Sequence, residues 1–209
     1  PYVLYGVTGS GKTEIYLHSI EQVLDRSPDA QILVMVPEIN LTPQLETSVC
    51  NRFPHENIAT LHSRLTESER LKNWLKIASG KARIILGTRL AVLAPAPKLA
   101  LIIVDEEHDP SYKQQEGLRY SARDLAVWRA SQLKIPVVLG SATPSLESWQ
   151  HVLTGRYIKL ELPERAAKDA VLPAIKLIDT SKQLLNKGLS GELINAIQRR
   201  LENGEQSLL

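Results

Sequence analysis

Eight residues near the start of the chain have the types and spacing that bind phosphate: Gly6-Val7-Thr8-Gly9-Ser10-Gly11-Lys12-Thr13. Four residues separate two glycines, and Lys and Thr follow the second one. Glycine permits the dihedrals that turn several backbone N–H groups toward one anion, and its missing side chain lets the backbone approach. The alternative is a glycine turn that merely starts a helix. We predict a nucleoside triphosphate site at Thr8, Gly9, Ser10, Gly11, Lys12 and Thr13.

In that site, Lys12 would reach the β- and γ-phosphates and the Thr13 hydroxyl would ligate Mg²⁺. A second group of candidate residues, the acidic cluster Asp105-Glu106-Glu107-His108, directly follows the apolar run 101–104. Asp105 would hold the same Mg²⁺, and Glu106 would deprotonate the water that attacks the γ-phosphate. An Asp followed by Glu favours hydrolysis over transfer to a small molecule. The alternative is that one of the two carboxylates only caps a following helix. The predicted catalytic residues are Lys12, Asp105 and Glu106.

The polar loop Ser141-Ala142-Thr143 follows another apolar run, at 136–139, after Gly140. We predict that His108 and Glu107 link the acidic cluster to this loop by hydrogen bonds. A solvated histidine is the alternative, since His is often only partly buried.

The stretch from Ser111 to Tyr120 carries two tyrosines, each next to a basic residue. Bases of single-stranded nucleic acid stack on tyrosine rings, while Lys and Arg hold the phosphates. We therefore predict nucleic-acid contact through Tyr112, Lys113, Arg119 and Tyr120. The alternative is a loop whose tyrosines pack on their own domain.

The sequence predicts alternating strands and helices, and the candidate residues lie in or next to the loops between them. Apolar runs predict strands at 2–5, 31–36, 58–61, 83–87, 101–104 and 136–139. Helical spacing and caps predict helices at 12–26, from 45 to about 52, 66–79, 121–133 and after Ser145. This order is typical of an α/β fold with a mostly parallel sheet covered by helices on both faces. Ligands bind at the carboxyl ends of strands in such sheets, where nearly every polar cluster falls. The alternative is that each cluster is only a turn or a helix cap.

The pattern changes beyond Gly155. We predict strands at 157–162 and 174–178, a linker at 179–187, a helix at 190–201 and a strand that begins near Gln206. The predicted organisation is one domain at 1–165, a linker at 166–187 and the start of a second domain at 188–209. Because the chain begins at Pro1 rather than Met, we expect it to be part of a longer protein.

Composition excludes several classes of protein. The 209 residues carry 25 basic and 23 acidic side chains, so any nucleic-acid contact must use a local groove rather than a strongly basic body. The single cysteine, Cys50, excludes a disulfide framework or a cysteine metal cluster in this chain. No apolar run approaches the length of roughly 18 residues that a membrane helix needs, and we expect no signal peptide.

Five motifs together resemble motifs I, Ia, Ib, II and III of superfamily 2 helicases: GVTGSGKT at 6–13, PEINLTPQ at 37–44, GTR at 87–89, DEEH at 105–108 and GSATPS at 140–145. The segment 105–130 resembles the aromatic-rich loop region of the primosomal replication-restart helicases. Leu118 departs from that pattern, because an aromatic residue is expected just before the Arg-Tyr pair.

The resemblance implies the first RecA-like lobe of an ATP- and Mg²⁺-dependent 3′-to-5′ DNA helicase. It implies that His108, Ser141 and Thr143 couple the nucleotide site to DNA, and that Thr42, Thr88 and Arg89 contact the DNA backbone. The implied partners are single-stranded and forked DNA, replication-restart and primosome proteins, and single-stranded DNA-binding protein. We expect a monomer in the bacterial cytoplasm, without a membrane partner.

Such helicases close ATP between two lobes, and the second lobe supplies arginines and zinc-binding cysteines that this chain lacks. We therefore expect the chain alone to bind nucleotide weakly and to hydrolyse it poorly, with zinc needed only by the second lobe. Two other readings remain open: a P-loop kinase, and a non-catalytic module that binds nucleic acid or replication proteins.

Overall fold

The computed structural model describes residues 1–37, 43–165, 174–182 and 184–209. Its strands are β1 Tyr2–Gly6, β2 Gln31–Met35, β3 Ile58–Leu61, β4 Ile84–Gly87, β5 Leu99–Val104, β6 Lys113–Gln114, β7 Tyr120–Ser121, β8 Val137–Ser141 and β9 Ile158–Leu162. Its α-helices are α1 Lys12–Arg26, α2 Pro43–Arg52, α3 Glu67–Ala78, α4 Ala122–Leu133, α5 Leu146–Leu153 and α6 Gly191–Glu202. Short 3₁₀ helices cover Arg89–Leu93, Pro110–Tyr112 and Thr180–Lys182. The contacts divide the chain into two compact units, 1–169 and 170–209.

Seven strands of the first unit form one parallel sheet in the order β3-β4-β2-β5-β8-β1-β9. The predicted α/β fold with a mostly parallel sheet is confirmed. The three strands β5, β8 and β1 are neighbours in this order. The loops that follow them, which carry the acidic cluster, the Ser-Ala-Thr loop and the glycine loop, therefore meet at one edge of the sheet.

Helices cover both faces because the strands are apolar on both faces. Successive residues of β2 point in opposite directions, and all five are buried. Ile32 and Val34 belong to a buried cluster with Tyr16 and Ile20 of α1. Leu33 and Met35 belong to another, which includes Ala122 and Ala126 of α4 and the 3₁₀ residues Ala91 and Val92. The continuous apolar runs in the sequence thus become central strands.

Several helices begin at a side chain that accepts a hydrogen bond from the backbone. Thr66 and Glu69 form the predicted reciprocal capping box at the start of α3. The hydroxyls of Ser121, Ser145 and Ser190 cap α4, α5 and α6 in the same way. Helix α1 differs, because Gly11 stands at its N-cap and no side chain caps its first turn. Its free N–H groups thus remain available to an anion.

Two predicted strands are wrong. Residues 174–178 adopt no regular structure, and Ile175 and Leu177 are largely exposed. Residues 205–209 also form no strand. A strand needs a hydrogen-bonded neighbour, and the described residues pair neither segment with one. Within the second unit, Asn186 and Leu189 form an isolated bridge before α6.

None of the helices in the described ranges has the length and apolar character that a membrane crossing needs.

Candidate nucleotide and nucleic-acid site

The glycine loop connects the carboxyl end of β1 to the amino end of α1. Gly9 and Gly11 have φ values of 79° and 89°, in the left-handed region that favours glycine. A Cβ atom on Gly6 would lie 2.5 Å from the Ser10 hydroxyl oxygen. That hydroxyl is buried and has no hydrogen-bond partner among the described residues. An orphaned hydroxyl beside the uncapped first turn of α1 fits a phosphate ligand.

Lys12 is buried on the inner side of this loop. Its Nζ donates a 2.9 Å hydrogen bond to the Gly6 carbonyl and lies 3.9 Å from Oε1 of Glu106. The ammonium group of the loop and the carboxylate of the acidic cluster therefore face each other, although 94 positions separate them in the sequence. The side chain of Thr13, one residue further along α1, is exposed.

Two tyrosine hydroxyls hold Asp105. Tyr16 of α1 donates a 2.9 Å hydrogen bond to Oδ1, and Tyr112 donates a 2.7 Å bond to the backbone carbonyl. The Asp105 N–H in turn donates to the Met35 carbonyl at 2.8 Å, which continues the ladder between β5 and β2. Burial raises the pKa of the Asp105 carboxyl, and the Tyr16 hydrogen bond opposes that rise. Burial and the nearby Asp105 raise the pKa of Tyr16, so its hydroxyl keeps the proton that it donates.

Glu106 adopts a left-handed backbone conformation, with φ 44°. Its carboxylate lies between Lys12 and His108, 3.9 Å from Nζ and 3.6 Å from Nδ1. Burial raises the pKa of Glu106, and the Asp105 charge adds to the rise. A raised pKa brings a carboxylate closer to the value that suits a general base.

The predicted hydrogen bonds from His108 to the Ser-Ala-Thr loop are present, whereas the Glu107 side chain accepts hydrogen bonds from Ser145 and Ser148 instead. Nδ1 of His108 lies 2.8 Å from the Ser141 hydroxyl, and Nε2 lies 3.4 Å from the Thr143 hydroxyl. The Ser141 hydroxyl also accepts a 2.9 Å hydrogen bond from the Thr143 N–H. His108 therefore connects Glu106 with the loop that follows β8.

Glu107 forms the second connection, inside the protein. Its carboxylate is fully buried and accepts hydrogen bonds from the Ser145 N–H at 2.6 Å and from the Ser148 hydroxyl at 2.9 Å. Arg123 of α4 donates another at 3.1 Å and also donates to the Ser145 hydroxyl at 2.6 Å. This network fixes the acidic cluster, α4 and the start of α5 relative to one another.

The predicted nucleic-acid contacts separate into buried and exposed residues. The prediction that the Tyr112 ring is available for base stacking is wrong, because Tyr112 is only 1% exposed and packs in the core. Thr88 is also buried. Arg89 donates to the carbonyls of Ser111 and Lys113, at 3.1 and 3.3 Å, and so supports the aromatic-rich segment from within. Thr42 lies outside the described residues.

The rest of the aromatic-rich segment forms a short antiparallel hairpin of β6 and β7. Lys113 and Arg119 are exposed and line a cleft of about 550 Å³ together with the partly buried Tyr120. Leu118 is 78% exposed near the hairpin tip. Among the predicted contact residues that the structure describes, Lys113, Arg119 and Tyr120 thus remain in position to meet a polyanion.

Sequence reasoning missed two residues of the site. Tyr16 fits the apolar spacing of the predicted helix 12–26, and Arg123 lies within the predicted helix 121–133. The available signal for Tyr16 is its place four residues after Lys12, which puts both side chains on one helix face. No local pattern indicates that Arg123 reaches Glu107.

Comparisons with known proteins agree with this architecture. The family model for DEAD/DEAH box helicases matches residues 2–152. Replication restart protein PriA of Haemophilus influenzae is 48% identical over 208 residues, which cover 100% of this chain and 28% of that protein. PriA of Bacillus subtilis is 44% identical over 211 residues, which cover 100% of this chain and 26% of that protein. The chain thus spans about a quarter of the length of these curated relatives.

Solved structures support the fold. RecG bound to a three-way DNA junction has a TM-score of 0.54 at 22% identity, covering 80% of this chain and 21% of that one. The yeast DEAD-box splicing factor Prp28 has a TM-score of 0.57 at 12% identity, covering 80% of this chain and 43% of that one. Both likenesses concern the RecA-like fold of a helicase lobe. With the family model matching most of its length, this chain belongs to the DEAD/DEAH box helicase family.

Proposed function

We propose that this chain is the ATP-binding lobe of a DNA-dependent ATPase, a 3′-to-5′ DNA helicase that acts in replication restart and primosome assembly. The observation that carries the proposal is that Lys12, at the start of α1, lies 3.9 Å from Glu106, in the Asp105-Glu106 pair that follows β5. The similarity to PriA along the whole chain supports the biological context. The similarity covers only about a quarter of the length of those relatives. The activity of the whole protein is therefore part of the proposal.

Each residue has a role that its geometry permits. Lys12 would exchange its bonds to Gly6 and Glu106 for phosphate oxygens. Thr13 and Asp105 would hold Mg²⁺, which neutralises the charge that develops on the transferring phosphoryl group. Glu106, with its raised pKa, would accept the proton of the attacking water.

His108 would couple changes at the nucleotide site to the Ser141–Thr143 loop, because it contacts both Glu106 and Ser141. Lys113, Arg119 and Tyr120 of the hairpin would contact single-stranded or forked DNA through phosphates and one base. Arg89 would act indirectly, by supporting the hairpin. Primosome proteins and single-stranded DNA-binding protein belong to the proposal through the likeness to PriA alone.

A single lobe holds only half of such a site. In related NTPases an arginine from outside the nucleotide-binding lobe contributes about 10³- to 10⁵-fold to the rate. We therefore expect this chain to bind ATP without rapid turnover. Zinc would belong to a second lobe.

The test is ATP hydrolysis and nucleotide binding by this chain, with and without single-stranded DNA. Lys12→Ala is the test variant, and Lys72→Ala on the exposed surface of α3 is the control for loss of one positive charge. We expect Mg²⁺–nucleotide binding that Lys12→Ala abolishes and Lys72→Ala retains, with little hydrolysis by any form. Unchanged nucleotide binding by Lys12→Ala would contradict the proposed site. DNA binding without any nucleotide binding by the parent would favour a non-catalytic module, and phosphate transfer to a small molecule would favour a kinase.

A further inference from the structure

The Tyr16 hydroxyl lies at a defined place in the candidate site. Lys12 and Tyr16 are separated by one turn of α1, and both side chains are directed toward the end of β5. Lys12 lies 3.9 Å from Glu106, and the Tyr16 hydroxyl donates to Asp105 Oδ1 at 2.9 Å. One helix thus contacts both members of the acidic pair.

The sheet leaves room for this hydroxyl. A Cβ atom on Gly140 would lie 1.6 Å from the Tyr16 hydroxyl oxygen and 2.7 Å from the ring carbon that bears it. Any side chain at position 140 would therefore displace the phenol. Tyr16 is 5% exposed and packs among residues of α1, β2 and β5, so its ring has little freedom to turn away.

A phenol at this distance fixes the carboxylate and leaves it able to bind a cation. Tyr16 supplies a single proton to one oxygen, while an ionised carboxylate offers about four lone-pair positions. The remaining positions can accept a metal ion or its water ligands. Hydrogen bonds from outside the ligand set orient metal-binding carboxylates in this way.

We propose that Tyr16 is a positioning residue for the magnesium–nucleotide site, acting through Asp105. The proposal rests on the proposed function, because it assigns a role within the same nucleotide site. It differs from a purely structural role, in which the hydroxyl would only satisfy a buried carboxylate. A positioning role concerns binding that depends on the metal, whereas a structural role affects the folded site as a whole.

The experiment measures the dissociation constant of a fluorescent ADP analogue for this chain in saturating Mg²⁺ and in EDTA. The ratio of the two constants is the enhancement by Mg²⁺. Tyr16→Phe keeps the ring and removes only the hydroxyl. Tyr2→Phe is the matched control, since it removes a hydroxyl from the amino end of β1, at the opposite edge of the sheet. Thermal unfolding of all three proteins confirms that each is folded.

We expect Tyr16→Phe to reduce the Mg²⁺ enhancement by about 10-fold or more, within the range typical of lost outer-shell partners. Its affinity in EDTA should equal that of the parent, and Tyr2→Phe should match the parent in both conditions. An unchanged Mg²⁺ enhancement in Tyr16→Phe would overturn the inference. Equal weakening in Mg²⁺ and in EDTA would also overturn it, because that result indicates a structural role. Failure of the parent to bind nucleotide in either condition would instead overturn the proposed function, and this inference with it.

Discussion

The Tyr112 hydroxyl donates a 2.7 Å hydrogen bond to the backbone carbonyl of Asp105, the residue proposed to hold Mg²⁺. Tyr112 comes from the aromatic-rich segment, whose sequence suggests an exposed surface for nucleic acid. In the structure its ring fills the core beside α4, and only the later part of the segment reaches solvent. The base of the hairpin is therefore attached to the end of β5, which carries the acidic cluster.

This attachment predicts different effects for residues of the same segment. Tyr112→Phe keeps the buried ring and removes one hydrogen bond, so the free energy of unfolding should fall by about 1 kcal/mol. Its affinity for single-stranded DNA should not change, because the ring is not accessible. Arg119→Ala should leave the free energy of unfolding unchanged and weaken DNA binding. It should also make the DNA affinity depend less on salt concentration. Urea denaturation and fluorescence anisotropy measure the two quantities.

A loss of DNA affinity in Tyr112→Phe as large as that in Arg119→Ala would show that the Tyr112 ring is exposed when DNA binds. The predicted separation of stability from DNA binding would then be wrong.

The buried ion pair of Glu107 and Arg123 is expected to contribute to the free energy of unfolding. Removing one partner leaves the other charge buried without compensation, so Arg123→Met should lower the free energy of unfolding by about 3–5 kcal/mol. Glu107→Gln should also destabilise, and the double variant should lose less than the sum of the two. Glu147→Gln is the control, because Glu147 lies 3.9 Å from the same guanidinium but its side chain is 62% exposed. Urea denaturation measures all four variants; additive losses would show that the two side chains do not interact.

The environment of the Asp105 carboxyl predicts how stability depends on pH. Burial raises its pKa in the folded chain, so the folded state binds this proton more tightly than the unfolded state does. The free energy of unfolding therefore falls as pH rises from the unfolded pKa, about 3.9, through the folded pKa. Asp105→Asn removes the charge but keeps an oxygen that can accept from Tyr16. In EDTA at pH 7 this variant should be more stable than the parent, and the difference should shrink as the pH falls.

Asp29 provides the control of opposite sign. A hydrogen bond and the charge of Lys98 lower the pKa of Asp29, so its contribution to stability is present above the unfolded pKa and is lost as pH falls. Asp29→Asn should thus be slightly less stable than the parent at pH 7, with a difference that disappears in acid. Denaturation curves from pH 7 down to below the unfolded pKa, about 3.9, test both variants. An Asp105→Asn variant less stable than the parent at pH 7 would show that burial does not dominate the Asp105 environment.

The sequence by itself determined the features that depend on neighbours along the chain. The glycine loop, its strand and its helix follow from residue types within the first 26 positions. The capping box of Thr66 and Glu69 is equally local. The parallel sheet follows from apolar runs that alternate with helices, and parallel strands bring their carboxyl ends to one edge. That edge contains Lys12 and Asp105, as the pattern predicts.

Tertiary structure decided the features that depend on residues far apart. The packing of helices against the ends of the strands determines three features. These are the burial of Tyr112, the hydrogen bond from Tyr16 to Asp105 and the ion pair of Arg123 with Glu107. Residue type does not distinguish a tyrosine that stacks on a base from one whose hydroxyl meets a buried carbonyl. The segment 174–178 shows the same limit, since a run with strand-like composition forms a strand only where a neighbour completes its backbone hydrogen bonds.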